Sequence, residues 1–333
     1  MNSRAHIDGV LVQWGDRLFF PPNRIVKPAP TLRLNAGSSR QPETIRRRIV
    51  AHVSRRAPQV MVKVTGGGRG MGAIAAHFRY ISKNGKLAIE DDRGVVRDGK
   101  EAVLDIAEQW RRSGARIEEV GHRREAYNIM LSMPAGTDAE IVRKAAREFA
   151  QTELAAHRYV MVLHQHQANP HVHLSVKAES RSGKRLNPRK SDLHRWRETF
   201  AEKLRGWGVE AEATRQATRG ATRRHDPIWR VKAKIEGRLS EGEAPGKAGT
   251  RFQESRNGAG EAWAHIAQAL SLSEAPADKA LSKDIVKFFR ESAYLREVSQ
   301  RNGRDTTRGR NQGEMSRQPA TVSPEKPDRR ISR

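Results

Sequence analysis

Hydrophobic and polar positions divide this chain into a patterned middle and two weakly patterned ends. VMVKVT (Val60 to Thr65) alternates and predicts a strand. A glycine run, GGGRGMG, follows it, and AIAAHFRYISKNG then reads as a short helix stopped at Asn84-Gly85. YNIMLSMP (Tyr127 to Pro134) alternates like a half-buried strand. Thr137 and Glu140 have capping-box spacing and open a helix that runs to about Leu154. YVMVLHQH (Tyr159 to His166) and HVHLSVKA (His171 to Ala178) are two more strands, joined by a tight Gln167-Ala168-Asn169-Pro170 connection. Ser191 caps a helix with the stripe Leu193, Trp196, Phe200 and Leu204, and Gly206 and Gly208 stop it. Strands mixed with helices on a mainly antiparallel pattern predict an α+β fold.

The ends differ in texture. Residues 1–56 read as a basic extension, with 11 Lys/Arg against 3 acids and a structure-breaking PPNRIVKPAP. The patterned unit is placed at 57–225. Beyond it, 226–333 reads as a helical and disordered basic region, with helices at Ile228 to Leu239, Ala262 to Leu270 and Lys279 to Glu297. From Arg301 onward nine Lys/Arg meet four Asp/Glu and almost no large apolar residue, which predicts a disordered tail.

Composition sharpens this division. The chain has 333 residues, of which 36% are hydrophobic, 5% aromatic and 30% charged, so poorly packed basic flanks are expected. Lys+Arg 63 against Asp+Glu 38 leaves a net charge of +25, which points to a polyanion and first to nucleic acid. Cysteine is absent, excluding a disulfide framework, a thiolate nucleophile and Cys-ligated zinc. No stretch is apolar for the ~18 residues of a membrane span, and the start lacks a secretory-signal pattern, so a cytoplasmic protein is expected.

The chemistry concentrates in LHQHQANPHVHLSV. His171, His173, Ser175 and Lys177 share one strand face, and Val172, Leu174 and Val176 share the other. The aliphatic face belongs to a core, so the histidines face the open side. His164 and His166 likewise share a face of the preceding strand, and a tight connection brings the four imidazoles together. Neutral imidazole nitrogens suit divalent ions such as Zn, Mn or Ni.

The chain has four tyrosines, Tyr80, Tyr127, Tyr159 and Tyr294. Tyr127 and Tyr159 begin aliphatic strands, and Tyr294 lies in the weakly patterned end. Tyr80 sits roughly 120° from its helix's apolar stripe of Ile74, Phe78 and Ile81, at ~100° per residue. Arg79, Lys83 and Lys86 supply positive charge around it, and Arg69 in the glycine run is a further candidate DNA contact. RSGKRLNPRK, with Lys184, Arg185, Arg189 and Lys190, is the best candidate DNA-contacting loop. A competing motif is Gly68-x-Gly70-x-x-Ala73 with Glu90 beyond it, which imitates a dinucleotide fingerprint. The later strands lack the βαβ alternation that such a fold requires, and the four histidines would be left over. Those glycines are read instead as a turn, or as a place where backbone amides approach a DNA phosphate.

His171-Val172-His173, with Asn169-Pro170 ahead and His164 seven residues before, resembles the centre of the HUH tyrosine nickases. Arg79-Tyr80-Ile81-Ser82-Lys83-Asn84-Gly85 resembles the context of their nucleophilic tyrosine. Among them the chain is most similar to conjugative relaxases and mobilisation nucleases of the T-DNA border-nicking, VirD-like type, over about residues 57–215. The resemblance implies an antiparallel palm flanked by helices and one divalent metal (Mg, Mn, Zn or similar) on His164, His171 and His173. It implies that Tyr80 becomes joined to DNA. The family often has an acid where this chain has His166, so proton acceptance falls to that imidazole. It further implies a strand-specific cut at a transfer origin, accessory relaxosome proteins, and a type IV secretion coupling protein that takes the DNA-linked chain to a recipient cell, with the C-terminal arginines as signal. A rolling-circle replication initiator or transposase would use the same chemistry. A non-catalytic DNA-binding accessory protein would use none.

Overall fold

The computed structural model describes residues 4–20, 41–114, 116–221, 233, 236–238, 249–292 and 295. The expected α+β class holds. Among the described residues six strands form one antiparallel sheet, four of eight helices pack against it, and the other four form a core of their own. The strands are β1 (Met61–Gly66), β2 (Ile89–Asp91), β3 (Val96–Arg97), β4 (Ala126–Ser132), β5 (His157–His164) and β6 (His171–Ser180), in the order β1-β4-β6-β5-β2-β3. No described helix is long and apolar enough to cross a membrane.

Alternation along the strands gives the sheet two different faces. Val62, Ile129, Leu131, Met161, Val172, Leu174 and Val176 point to one side. There α5 (Ala139–Glu153) and α6 (Lys190–Gly206) bury Phe149, Trp196 and Phe200 against them. On the other face α3 (Met71–Ile81) and α4 (Lys100–Arg112) cover Ile89, Ala126, Val160 and Val162 with Ile74, Phe78, Ile106 and Trp110. The histidines of β6 share this second face, paired across the ladder as Ser132↔His171↔His164 and Met130↔His173↔Val162.

Local details differ from the pattern. The first residue capping α5 is Asp138, whose carboxylate accepts from the amides of Glu140 and Ile141, whereas the Thr137 hydroxyl donates to Pro134. α6 starts behind Arg189, whose amide donates to Asp192. The strand read to His166 ends at His164, so the connection runs over six residues, 165–170. The helix expected at 228–239 falls almost entirely outside the described residues, as do Tyr294 and the tail from Arg301.

The largest difference concerns the N-terminal segment read as a basic extension. It contains two packed helices, α1 (Arg4–Phe19) and α2 (Pro42–Val53). They join α7 (Thr250–Ser271) and α8 (Pro276–Arg290) in a third core of Leu11, Leu18, Ile45, Ile49, Trp263, Ile266 and Ile285. At the crossing of α1 and α2 a side chain on Gly15 would lie 2.5 Å from Ile45, so glycine sets the close approach. Arg48 on α2 pairs with Glu198 on α6, tying the helical unit to the sheet unit.

This helical core carries an acid-sensitive group. His52 is 4% exposed and stacked on Trp263, with its Nε2 unpartnered among the described residues. Burial, with help from Arg219, pushes its pKa down to about 4 from an ordinary 6.5. The unfolded chain therefore binds a proton that the folded chain refuses, so stability falls as pH drops from 6.5 towards 4. The loss is on the order of 3 kcal/mol at about 1.4 kcal/mol per unit. We expect melting to fall by several degrees between pH 7 and pH 4.5, and His52→Phe to flatten that dependence. An equal slope in both proteins would contradict the assignment.

Candidate active site

The register of β5 and β6 places His164 directly opposite His171, with His173 two residues along on the same face. One ring nitrogen from each of these three lies within 4.8 Å of the others, a spacing that could hold a metal ion. Their ring centres are 4.7 to 5.1 Å apart.

Main-chain carbonyls set the tautomers. His164 Nε2–H donates to the Ile81 carbonyl at 2.6 Å, which leaves the Nδ1 lone pair for a ligand bond. His171 Nδ1–H donates to the Asn169 carbonyl at 2.9 Å and leaves Nε2. Such outer hydrogen bonds orient histidine ligands in metal sites. Burial also keeps protons off two of the three. It lowers the pKa of His164, and it pushes His173 down to about 3, with the neighbouring imidazoles His164, His171 and His77 adding to the effect. Three convergent imidazoles, two of them oriented by main-chain carbonyls, fit a divalent ion.

His166 sits in the connection rather than on the strand. It is exposed, with its ring 5.1 Å from that of His164, and stands outside the close trio.

The helix carrying Tyr80 ends beside the cluster. Ile81, its last residue, is the acceptor for His164. Lys83, Asn84 and Gly85 then take φ of 50°, 57° and 82°, turning the chain sharply towards β2. At Gly85 a side chain would meet the Gly99 backbone at 2.4 Å. Ile74, Phe78 and Ile81 are fully buried, while Tyr80 is 71% exposed. The other described tyrosines differ. Tyr127 is half-buried under Arg124, and Tyr159 is 4% exposed with its phenol pushed up to about 12 by burial.

His77 was missed by the sequence reading. It lies one turn before Tyr80 and packs on both the Tyr80 ring (6.3 Å) and the His173 ring (6.5 Å). Its Nε2 is buried and has no hydrogen-bond partner among the described residues. The i, i+3 spacing to Tyr80 was the available signal.

Of the predicted cations, Arg79 and Lys83 flank Tyr80 and are exposed. Arg69 lies at the opposite end of α3, about 16 Å away at 1.5 Å per residue. Lys184 and Arg185 follow the far end of β6, nine residues and about 30 Å from His171. Arg185 is moreover paired with Glu125. The structure does not bring that loop's start to the histidines.

The glycine run is a packing device. Gly68 donates to the Ala126 carbonyl, and Met71 and Gly72 donate to the carbonyls of Glu118 and Glu119. Those amides are therefore spent on backbone and do not cradle a phosphate. Glu90, the acid of the imitated fingerprint, is buried in ion pairs with Arg147 and Arg143.

Residues 80–209 match the family described as relaxase, MobA/VirD2-like, nuclease domain. The chain carries a relaxase nuclease domain. The match spans all of β4 to α6, including the three histidines, and likens this part of the chain to the HUH endonucleases. Its first residue is Tyr80, yet β1 pairs with β4 and most of α3 lies upstream, so the sheet and its packing extend before the matched segment. The matched description names a nuclease, which makes this part of the chain similar to a DNA endonuclease. Among curated proteins, none matches the chain.

Proposed function

We propose that this relaxase domain, taken as residues 57–225, nicks one strand at a transfer origin through Tyr80 and pilots that strand in conjugation, in the manner of VirD-like enzymes. The observation that carries the reading is the helix end where Tyr80 stands exposed and Ile81 holds His164. That single joint couples a free phenol to the histidine trio.

His164, His171 and His173 would hold one Mg, Mn, Zn or similar ion, which supplies positive charge to the non-bridging oxygens of the scissile phosphate. Tyr80 Oη attacks phosphorus, and the bond to the 3′ oxygen breaks. The strand then ends in a free 3′-OH on one side and a 5′-phosphotyrosine on the other. The phenol's proton passes to His166, which is exposed beside the trio. Arg79 and Lys83 offset phosphate charge at the helix end. Because the ester to Tyr80 retains the energy of the broken bond, the 3′-OH can reseal it, which makes the domain a strand transferase. Relaxosome accessory proteins, a type IV coupling protein and a translocated Arg-rich tail complete the proposed conjugative role from a bacterial cytoplasm.

The test is a denaturing gel of protein mixed with single-stranded oligonucleotides tiling the candidate origin. A covalent adduct that chelation removes and added Mg or Mn restores is expected. No adduct with any metal would favour a non-catalytic DNA-binding role. Cutting at a replication origin instead of a transfer origin would favour a rolling-circle initiator.

A further inference from the structure

Among the described residues, the histidine-bearing face of the sheet is covered by α3 and α4. α3 runs obliquely across it, beginning where Gly68 bonds Ala126 of β4 and ending where Ile81 bonds His164 of β5. With α4 it seals Val160, Val162, Ile89 and Ala126. At the corner formed by β1 and the adjacent half of β4, among the described residues, Met61 and Lys63 are exposed and Met130 is half-buried, while Ser132 is buried. Two cross-strand rows run into this corner from the site. One is His164–His171–Ser132–Met61 and the other is Val162–His173–Met130–Lys63. At about 4.8 Å per strand, Met61 and Lys63 stand about 10 Å from the histidines of β6.

The chemistry of this floor is specific. Met61 is 42% exposed on the solvent side of an edge strand, an unusual place for a large apolar side chain. Met130 is half-buried beside it. Lys63 is exposed and makes no ion pair among the described residues. At the outer edge, the half-buried Arg197 of α6 reaches the Val62 carbonyl of β1. A polarizable thioether beside a free ammonium offers a flat apolar contact for a base and a charge for the adjoining phosphate.

We infer that the single strand leaves the scissile phosphate perpendicular to the strands, across β4 and β1. A base lies on Met61 and Met130, and Lys63 contacts a phosphate. The inference rests on the nicking reading, because the histidine rows define where the path starts. It gives the DNA a route other than the Lys184–Lys190 loop, which begins at the far end of β6. Single-stranded DNA is the occupant favoured by continuity with the histidines and by the net charge of +25.

A photocrosslinking side chain, Met61→p-benzoylphenylalanine, tests the path in the full chain with an uncleavable single-stranded oligonucleotide. The same substitution at Lys184 is the comparison. Crosslinking from position 61 and little from 184 is expected, and the reverse would overturn the route. Lys63→Ala should weaken single-strand binding several-fold and reduce the slope of log affinity against log salt by about 0.7. Melting temperature and metal binding should stay at wild-type values. An unchanged salt slope in Lys63→Ala removes Lys63 from the path. If the wild type forms a covalent adduct while position 61 does not crosslink, the path alone fails. If position 61 crosslinks while no adduct ever forms, the nicking reading fails and the binding surface stands.

Discussion

Tyr80→Phe should bind single-stranded DNA and metal like the wild type and yield no covalent adduct. The ring of Tyr80 is 71% exposed, so removing one hydroxyl disturbs no core packing. Stability should move by less than about 0.5 kcal/mol, as at other open surface positions. Chemistry should respond very differently, because phenylalanine has no oxygen to attack phosphorus. A loss of adduct by at least ~10³-fold corresponds to about 4 kcal/mol in the barrier. Tyr127→Phe and Tyr159→Phe serve as controls. Tyr159 is buried with its phenol held protonated at a pKa of about 12, and Tyr127 lies along β4 against Arg124. Neither should abolish the adduct. A quantitative gel with labelled oligonucleotide distinguishes these outcomes, and loss of adduct in Tyr127→Phe alone would move the nucleophile.

The second large effect concerns the trio. His171→Ala or His173→Ala should lower metal affinity by ~100-fold or more, judged against the 10- to 100-fold effects of merely supporting groups. Cleavage should disappear with it. A readout independent of cleavage is thermal: at a hundred times its dissociation constant, metal should stabilise the wild type by about 2.7 kcal/mol and raise its melting temperature by several degrees. The variants should show no such rise at that concentration. His166→Ala sharpens the assignment. It should keep the metal-induced rise while losing cleavage rate, since His166 is exposed in the connection rather than one of the close trio. A lost thermal response in His166→Ala, with the response kept in His164→Ala, would exchange their roles.

The histidine strands were legible because two signals coincide there, a strict alternation of Val172, Leu174 and Val176 and a short connection that forces pairing with the previous strand. The placement of Tyr80 off its helix stripe was legible for a similar reason, since Ile74, Phe78 and Ile81 alone determine the buried side. Other parts were hidden by physics that is not local. β2 and β3 have three and two residues, too few for a period to register. α4 does carry the helical spacing Val103, Ile106, Ala107 and Trp110, but within a charged segment whose burial depends on Phe78 across the interface. α1 and α2 intersperse charged residues among apolar ones, and their apolar stripes meet partners more than two hundred residues later on α7 and α8. No window of sequence contains that contact. The same limit applies to cations. The loop from Arg181 to Lys190 follows the histidines closely in sequence, yet the length of β6 carries its start about 30 Å away.

The central claim is that Tyr80, held beside the histidine trio by the end of α3, is the atom source of the bond to DNA. Peptide mapping of the protease-digested covalent adduct by mass spectrometry tests it most directly. A nucleotide 5′-phosphate is expected on the peptide containing Arg79-Tyr80-Ile81, with fragment ions placing the mass on the tyrosine. Attachment to Tyr127, Tyr159, Tyr294 or a histidine, with the Tyr80 peptide recovered unmodified, would contradict it.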